Sequence, residues 1–140
     1  MALENASRSA AEGNFPAGGI VVVEDRVISS AISSPYPGLL HADSKAVTAA
    51  FESDTDLGKA TLYVTLESCL MCTGVAYWAG IRRIVYAIAK DQVDPTYYET
   101  AQPTAALIDG FNERLERVHL SELQDEALTI VRAWEEAQNL

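Results

Sequence analysis

The sequence predicts an α/β fold, a three-layer α/β/α sandwich around a central mixed sheet of four or five strands. Short runs rich in β-branched and aromatic residues, such as ATLYVTL (60–66), alternate with longer segments whose apolar residues recur at helical spacing. Strand–helix–strand order implies parallel strands with helices on both faces of the sheet. With 140 residues, 49% of them hydrophobic, the chain is expected to form a single domain, residues 1–140.

Local patterns predict each element in turn. GGIVVVEDRVISSAIS (18–33) predicts a β-hairpin that turns at 24–26, and the prolines of 33–40 predict a loop. The segment 121–138 has the spacing of an amphipathic helix capped by Ser121. Its buried face is predicted to comprise Leu123, Ala127, Leu128, Val131 and Trp134. The remaining elements are helices at 3–13, 41–53, 68–80 and 104–115, strands at 60–66 and 82–89, an irregular stretch at 90–103, and a strand or extended link at 116–121.

Composition and charge limit the classes of function. Ten Lys and Arg residues against 20 Asp and Glu residues give a formal charge of −10, which repels phosphate backbones and disfavours a nucleic-acid substrate. The chain lacks the run of about 18 apolar residues that a membrane span needs, so we expect no membrane association. The N-terminus lacks the pattern of a secretory signal, so a cytoplasmic location is expected.

Two cysteines and one histidine have the spacing of a metal site. Cys69 and Cys72 form a C-x-x-C at the start of a predicted helix, so both thiols face the same side. A helix N-terminus lowers thiol pKa values, and zinc binds thiolates. His41 begins another predicted helix directly after the proline loop. One His and two Cys leave a fourth position for water, which is the pattern of a catalytic zinc.

Asp43 lies two residues after His41, in the first turn of the same predicted helix. A carboxylate at this position could take a proton from a metal-activated water and return it to a leaving group. Purely structural explanations of these three residues stay open at this point. Asp43 is also consistent with a first-turn residue favoured by the helix dipole, and the two cysteines with buried core thiols.

Together, HAD (41–43) and ESCLMC (67–72) resemble the H-x-E and P-C-x-x-C signature of the zinc-dependent cytidine deaminase superfamily. FPAGGIVV (15–22) is similar to the family's Pro-x-Gly-Ala segment. The stretches 69–88 and 126–136 resemble the nucleobase, guanine and tRNA-adenosine deaminase branch. The resemblance implies a zinc ion (Zn2+) held by His41, Cys69 and Cys72. It also implies a homodimer or larger assembly, with the motif helices near the interface.

The reaction that this resemblance implies is hydrolytic deamination, in which zinc-bound hydroxide attacks an amino-bearing ring carbon and ammonia leaves. Asp43 would be the proton shuttle. Three positions depart from the family pattern: Asp43 replaces a Glu, Ser33 replaces a substrate-contacting Asn, and Ser68 replaces a Pro. Asp is shorter than Glu by about 1.5 Å, and misplacement on that scale can cost about a hundredfold in rate.

The predicted substrate is a free nucleobase, a nucleoside or a related amino-heterocycle. A guanine-type ring is slightly favoured over cytosine- and adenine-type rings, because Tyr77 and Trp78 follow the C-x-x-C motif and further aromatics come later. Core packing is nevertheless the default expectation for these two side chains. The residues expected to contact substrate are Ser33, Ala42, Glu67, Ser68, Tyr97 and Tyr98.

Two other classes of function remain open. The first is a catalytically impaired deaminase-fold protein that keeps zinc and acts as a binding or structural subunit. The second is a thiol redox protein that uses Cys69 and Cys72, although this reading gives no role to His41 or Asp43.

Overall fold

The computed structural model of the protein describes residues 1–99 and 104–139. Within these ranges, no helix is long and apolar enough to cross a membrane. The strands are β1 (Gly18–Val23), β2 (Arg26–Ile32), β3 (Thr61–Leu66), β4 (Arg83–Ile88) and β5 (Glu116–His119). The helices are α1 (Ala2–Ala11), α2 (Ala42–Glu52), α3 (Leu70–Ala79), α4 (Thr104–Ile108) and α5 (Gln124–Gln138).

One five-stranded mixed sheet forms the middle layer, in the order β2-β1-β3-β4-β5. β1 is antiparallel to both of its neighbours, whereas β3, β4 and β5 are parallel. The carboxyl ends of β2, β3, β4 and β5 therefore meet at one edge of the sheet, together with the amino end of β1. Ligands of open α/β sheets characteristically bind at the carboxyl ends of the strands.

Helices cover both faces of the sheet and confirm the predicted three layers. α1 and α5 pack on one face and against each other. α2 packs on the opposite face and against α3. Each interface between helices and sheet has its own apolar core. The core on the α2 side includes Val21, Ala46, Val47, Leu62 and Ile84. The core on the α5 side includes Ile88, Ala127, Leu128 and Val131.

Most predicted boundaries agree with the structure to within a few residues. The hairpin turns at Glu24 and Asp25, which both have positive φ as a two-residue turn requires. The segment 116–121, left open between strand and link, contains β5, which pairs in parallel with β4. The last four residues of the irregular stretch 90–103 lie outside the described residues.

Two helix predictions were wrong in detail. The predicted helix 104–115 ends at Ile108, because Asp109 and Gly110 form a turn that Phe111 continues. Ser121 does not cap the last helix, since Ser121–Leu123 form a separate 3-10 turn and α5 begins at Gln124 without a side-chain cap. Leu123 is therefore exposed, whereas the other four predicted residues of the buried face are buried.

Candidate metal centre and active site

The structure brings His41, Cys69 and Cys72 together at the sheet edge where the strand ends meet. His41 directly precedes α2, and Cys69 directly precedes α3, where its sulfur accepts a hydrogen bond from the Cys72 N–H group. The His41 Nδ1 atom lies 3.4 Å from the Sγ atom of each cysteine. All three ligand atoms lie within 4.8 Å of one another.

These distances fit a tetrahedral zinc ion. Zn–S bonds of about 2.3 Å and Zn–N bonds of about 2.0–2.1 Å, at tetrahedral angles, separate nitrogen from sulfur by about 3.5 Å. The observed separations from His41 Nδ1 are 3.4 Å. Two sulfurs and one imidazole nitrogen also form a donor set that suits zinc, and a set of three protein ligands leaves one coordination position open.

The loop between β2 and α2 orients the imidazole. His41 Nε2 donates a hydrogen bond to the Gly38 carbonyl oxygen at 2.8 Å, which directs Nδ1 towards the two sulfurs. Metal-binding histidines are commonly held in this way by a carbonyl on the opposite ring nitrogen. The irregular, proline-rich loop thus supplies a specific contact to the candidate metal centre.

Hydrogen bonds, burial and nearby charge shift the pKa values of all three candidate ligands. The Cys72 hydrogen bond lowers the pKa of Cys69 to about 5 against the effect of burial, and His41 adds to the lowering. The hydrogen bond with Cys69 in turn raises the pKa of His41 to about 9. The pKa of Cys72 is raised by the bond that it shares with Cys69, by burial and by the charge of Asp43. These pKa shifts favour a thiolate at Cys69 beside a protonated imidazole at His41, with Cys72 held as a thiol.

Asp43 lies beside this ligand group without belonging to it. Its side chain is on the first turn of α2, and the residue is 7% exposed. One carboxylate oxygen accepts a hydrogen bond from the Ser44 N–H group at 3.2 Å. The charge of the Asp43 carboxylate raises the pKa of both cysteine thiols, and its hydrogen bond with Cys72 adds to the effect on the pKa of that thiol.

A cavity of about 330 Å³ opens directly in front of His41 and Cys69 of the candidate metal centre. It is bounded by the loop 33–39 on one side, by Cys69 and Met71 at the start of α3, and by 97–99 on the other side. A small adjoining recess reaches Ala42 and Asp43. The volume lies near the lower end of the range for small-molecule sites, about 300–1,000 Å³.

Aromatic rings form much of the cavity wall. The Phe15 and Tyr98 rings stack with centroids 5.9 Å apart, and the Tyr36 and Tyr97 rings meet edge to face at 5.6 Å. Trp134 of α5 contacts Phe15, Tyr36 and Tyr97 from behind. This aromatic cluster therefore ties the two loops of the cavity to the last helix.

Four of the six predicted substrate residues lie at this cavity or its recess. Tyr97 and Tyr98 line the cavity, Ala42 lines the recess, and Ser33 lines both. Ser33 is 2% exposed, and its hydroxyl oxygen has no hydrogen-bond partner among the described residues. Such orphaned buried hydroxyls are uncommon in folded proteins.

Glu67 and Ser68, which are also expected to contact substrate, line neither the cavity nor the recess. The Glu67 carboxylate accepts hydrogen bonds from Arg117 Nη1 at 2.6 Å and from the Lys90 N–H group at 3.0 Å. Its backbone carbonyl accepts a hydrogen bond from the Tyr98 hydroxyl at 2.5 Å. Glu67 therefore connects the end of β3 to β5 through Arg117 and to the cavity wall through Tyr98. The buried Ser68 hydroxyl has no partner in the described part of the chain.

Sequence reasoning missed Glu99 and Phe15 as cavity residues. Glu99 lines the cavity, accepts a hydrogen bond from the Leu70 N–H group at the start of α3, and pairs with Lys90 at 3.7 Å. A carboxylate directly after the Tyr97–Tyr98 pair was the available signal. Phe15 precedes β1 and had no comparable signal, because its stacking partner is 83 positions away in the chain.

Tyr77 and Trp78 do not line the cavity, which removes the argument that favoured a guanine-type ring. Tyr77 stacks on Phe111 with centroids 4.0 Å apart. Trp78 is 87% exposed, so the expectation that it packs in the core was wrong. Ile81 follows the left-handed Gly80 and is buried instead.

The fold and the ligand set together define a zinc-binding deaminase domain. Over residues 1–88 the sequence matches the family described as "Cytidine and deoxycytidylate deaminase zinc-binding region". The chain belongs to this family, which confirms the resemblance found in the sequence.

Individual relatives differ in the ring on which they act. A probable cytosine deaminase of Schizosaccharomyces pombe is 39% identical over 85 residues, or 59% of this chain and 52% of that protein. A tRNA-specific adenosine deaminase of Streptococcus pyogenes serotype M1 is 29% identical over 104 residues, or 69% of this chain and 61% of that protein. These matches span about half to three fifths of the relatives' lengths.

A solved guanine deaminase structure from Nitrosomonas europaea superimposes with a TM-score of 0.80 at 25% identity. The match covers 96% of this chain and 81% of that chain.

Proposed function

We propose that this protein is a zinc-dependent hydrolytic deaminase of a small amino-substituted heterocycle, such as a free nucleobase or a nucleoside. The observation that carries the proposal is the buried carboxylate of Asp43 beside His41, Cys69 and Cys72, at the end of an aromatic-walled cavity. The cavity thus brings the candidate metal ligands and a candidate proton carrier together beside a space that could hold a planar ring.

His41, Cys69 and Cys72 would hold the zinc ion. A bound zinc makes water acidic enough to provide a nucleophile near neutral pH. Asp43 would accept a proton from that water and deliver it to the amino group that leaves as ammonia, so that the carboxylate returns to its starting state. The low exposure of Asp43 keeps bulk water from competing for this proton.

Ser33 and Tyr98 would hold the ring in position. The Ser33 hydroxyl is buried, lacks a partner in the described chain and lines the cavity, so a polar ring atom would satisfy it. The Tyr98 ring, fixed by its hydrogen bond to the Glu67 carbonyl, offers an apolar surface beside Asp43. The Glu99 carboxylate lines the same cavity and could accept a hydrogen bond from a ring N–H group.

Cavity size and charge support a small substrate over a polynucleotide. About 330 Å³ suits a base or nucleoside. A formal charge of −10 repels nucleic acid, whose binding depends on neutralised phosphates. Because the relatives include cytosine, adenosine and guanine deaminases, all three ring types are candidates.

We also propose that the protein forms a homodimer through the exposed side of α2 and α3. Phe51 and Trp78 are largely exposed and, with Val47 and Val75, line a shallow depression between the two helices. Large exposed apolar side chains gathered in one patch characteristically mark protein interfaces. A Trp78→Lys variant should sediment as a monomer if this face joins two copies, whereas an unchanged sedimentation coefficient would exclude the face.

The deciding experiment for the activity is ammonia release by zinc-loaded protein from cytosine, adenine, guanine and their nucleosides. Activity on one ring type should disappear in Asp43→Ala. It should persist in Asp125→Ala, which removes an exposed first-turn aspartate from α5. Silence across the panel with one zinc per chain would refute the proposal and favour a non-catalytic zinc subunit. Reversible Cys69–Cys72 disulfide cycling without tight zinc would favour a thiol redox protein.

A further inference from the structure

β1 and the start of α2 approach each other unusually closely at Gly19. A Cβ atom added at Gly19 would lie 3.3 Å from the Ala42 carbonyl carbon and oxygen and from the Asp43 Cα atom. Such contacts are tighter than nine in ten real Cβ contacts, so a neighbour would have to move by a few tenths of an ångström. The absence of a side chain at Gly19 therefore lets the first turn of α2 lie against the sheet.

The helix, and not the strand, would give way. Gly19 pairs with Ala31 of β2 on one side and with Val64 of β3 on the other, so β1 is held from both edges. Cys69 and Cys72 are carried by the end of β3 and the start of α3. An outward shift of α2 would consequently move Asp43 relative to Cys69, which closely follows the end of β3 at Leu66 in the chain.

The spacing at Gly19 matters because the catalytic carboxylate is short. An aspartate extends about 1.5 Å less from its Cα atom than a glutamate, so its reach depends more on where the helix lies. One of the atoms that an added Cβ atom at Gly19 would meet is the Cα atom of Asp43 itself. The other two belong to the carbonyl of Ala42, which separates Asp43 from the candidate metal ligand His41.

We infer that Gly19 is a positioning residue for Asp43, and that the close approach of α2 to β1 at Gly19 allows an aspartate to serve as the proton carrier. This inference rests on the proposed deaminase function. It predicts that Gly19 and Asp43 are coupled, because added bulk at residue 19 and added length at residue 43 displace the carboxylate in opposite directions.

The test is a double-mutant cycle of Gly19→Ala and Asp43→Glu, with kcat measured on zinc-loaded protein. A misplacement of about 1 Å costs roughly a hundredfold, so a few tenths of an ångström should cost roughly three- to tenfold in Gly19→Ala. Asp43→Glu alone should lose roughly a hundredfold or more. Adding Gly19→Ala to Asp43→Glu should raise kcat roughly three- to tenfold over Asp43→Glu alone.

Gly74→Ala is the matched control, because a Cβ atom added there meets nothing within 4 Å. It should change kcat in neither background. Equal losses from Gly19→Ala in both backgrounds would show a merely structural role and overturn the inference. A gain in kcat from Asp43→Glu alone would also overturn it, and this variant decides the matter if Gly19→Ala does not fold.

Crystal structures of zinc-loaded wild-type protein and Gly19→Ala provide a readout without turnover. The separation between Asp43 and the zinc ion should grow by a few tenths of an ångström in the variant, and an unchanged separation would overturn the inference. If wild-type protein is inactive on every ring, the proposed function fails. The positioning of Asp43 by Gly19 is then still judged by the two structures.

Discussion

The ion pair between Arg117 and Glu67 links β5 to the end of β3. Glu67 lies two residues before Cys69 in the chain. The Arg117 and Glu67 side chains are only 16% and 11% exposed, and Arg117 Nη1 lies 2.6 Å from Glu67 Oε2. Arg117→Met keeps much of the side-chain volume and removes the positive charge. The variant therefore leaves a carboxylate almost without solvent and without its cation.

The expected loss of stability follows from the contacts that remain. Removing one partner of a fully buried ion pair costs about 3–5 kcal/mol. Glu67 keeps one hydrogen bond, from the Lys90 N–H group at 3.0 Å, and some solvent reaches both side chains. The buried Arg117 Nε atom has no partner among the described residues, so its loss forfeits no hydrogen bond. We expect Arg117→Met to lower the free energy of unfolding by about 2–3 kcal/mol.

Urea unfolding of zinc-loaded protein measures this difference, and the midpoint should fall by about 1–2 M. The double variant Glu67→Gln/Arg117→Met should recover part of the loss, because it leaves no buried charge. A loss below about 0.5 kcal/mol in Arg117→Met would refute the reasoning. A Glu67→Gln variant with unchanged stability but a raised KM would instead restore the substrate role that the sequence predicted for Glu67.

Three further predictions concern the cavity and the metal centre. Ser33→Ala should raise the free energy of unfolding, measured in urea, by about 1 kcal/mol, because it removes a buried hydroxyl that has no partner among the described residues. The same variant should lower kcat/KM. A lower free energy of unfolding would show that the hydroxyl has a partner. Trp134→Ala should cost about 3–5 kcal/mol by the same measurement and Trp134→Phe clearly less, because the indole supports three rings of the cavity wall. At pH 7, zinc should displace one proton from His41 and one from Cys72, whose pKa values are raised. Zinc affinity in chelator competition should therefore rise about a hundredfold per pH unit between pH 6 and 8, and a pH-independent affinity would contradict this assignment.

Local spacing made the two cysteines of the candidate metal centre and most elements predictable. Cys69 and Cys72 are three residues apart at a helix start, so their proximity needs no tertiary information. The apolar residues of 42–52 recur at helical spacing, and those of β1 and β3 form strand-like runs. These patterns follow the side of each element that faces the core, so they can be recognised in the sequence alone. The order of these elements implied the three layers.

Tertiary packing decided the features that join distant parts of the chain. Glu67 pairs with a residue 50 positions away, Ser33 is left without a partner, and Phe15 stacks on a ring from another loop. No local pattern distinguishes a buried carboxylate that binds substrate from one that binds Arg117. The close approach of the first turn of α2 to Gly19 of β1, from which we infer the reach of Asp43, is likewise a tertiary property, because the distance between a helix and a strand depends on every side chain packed between them.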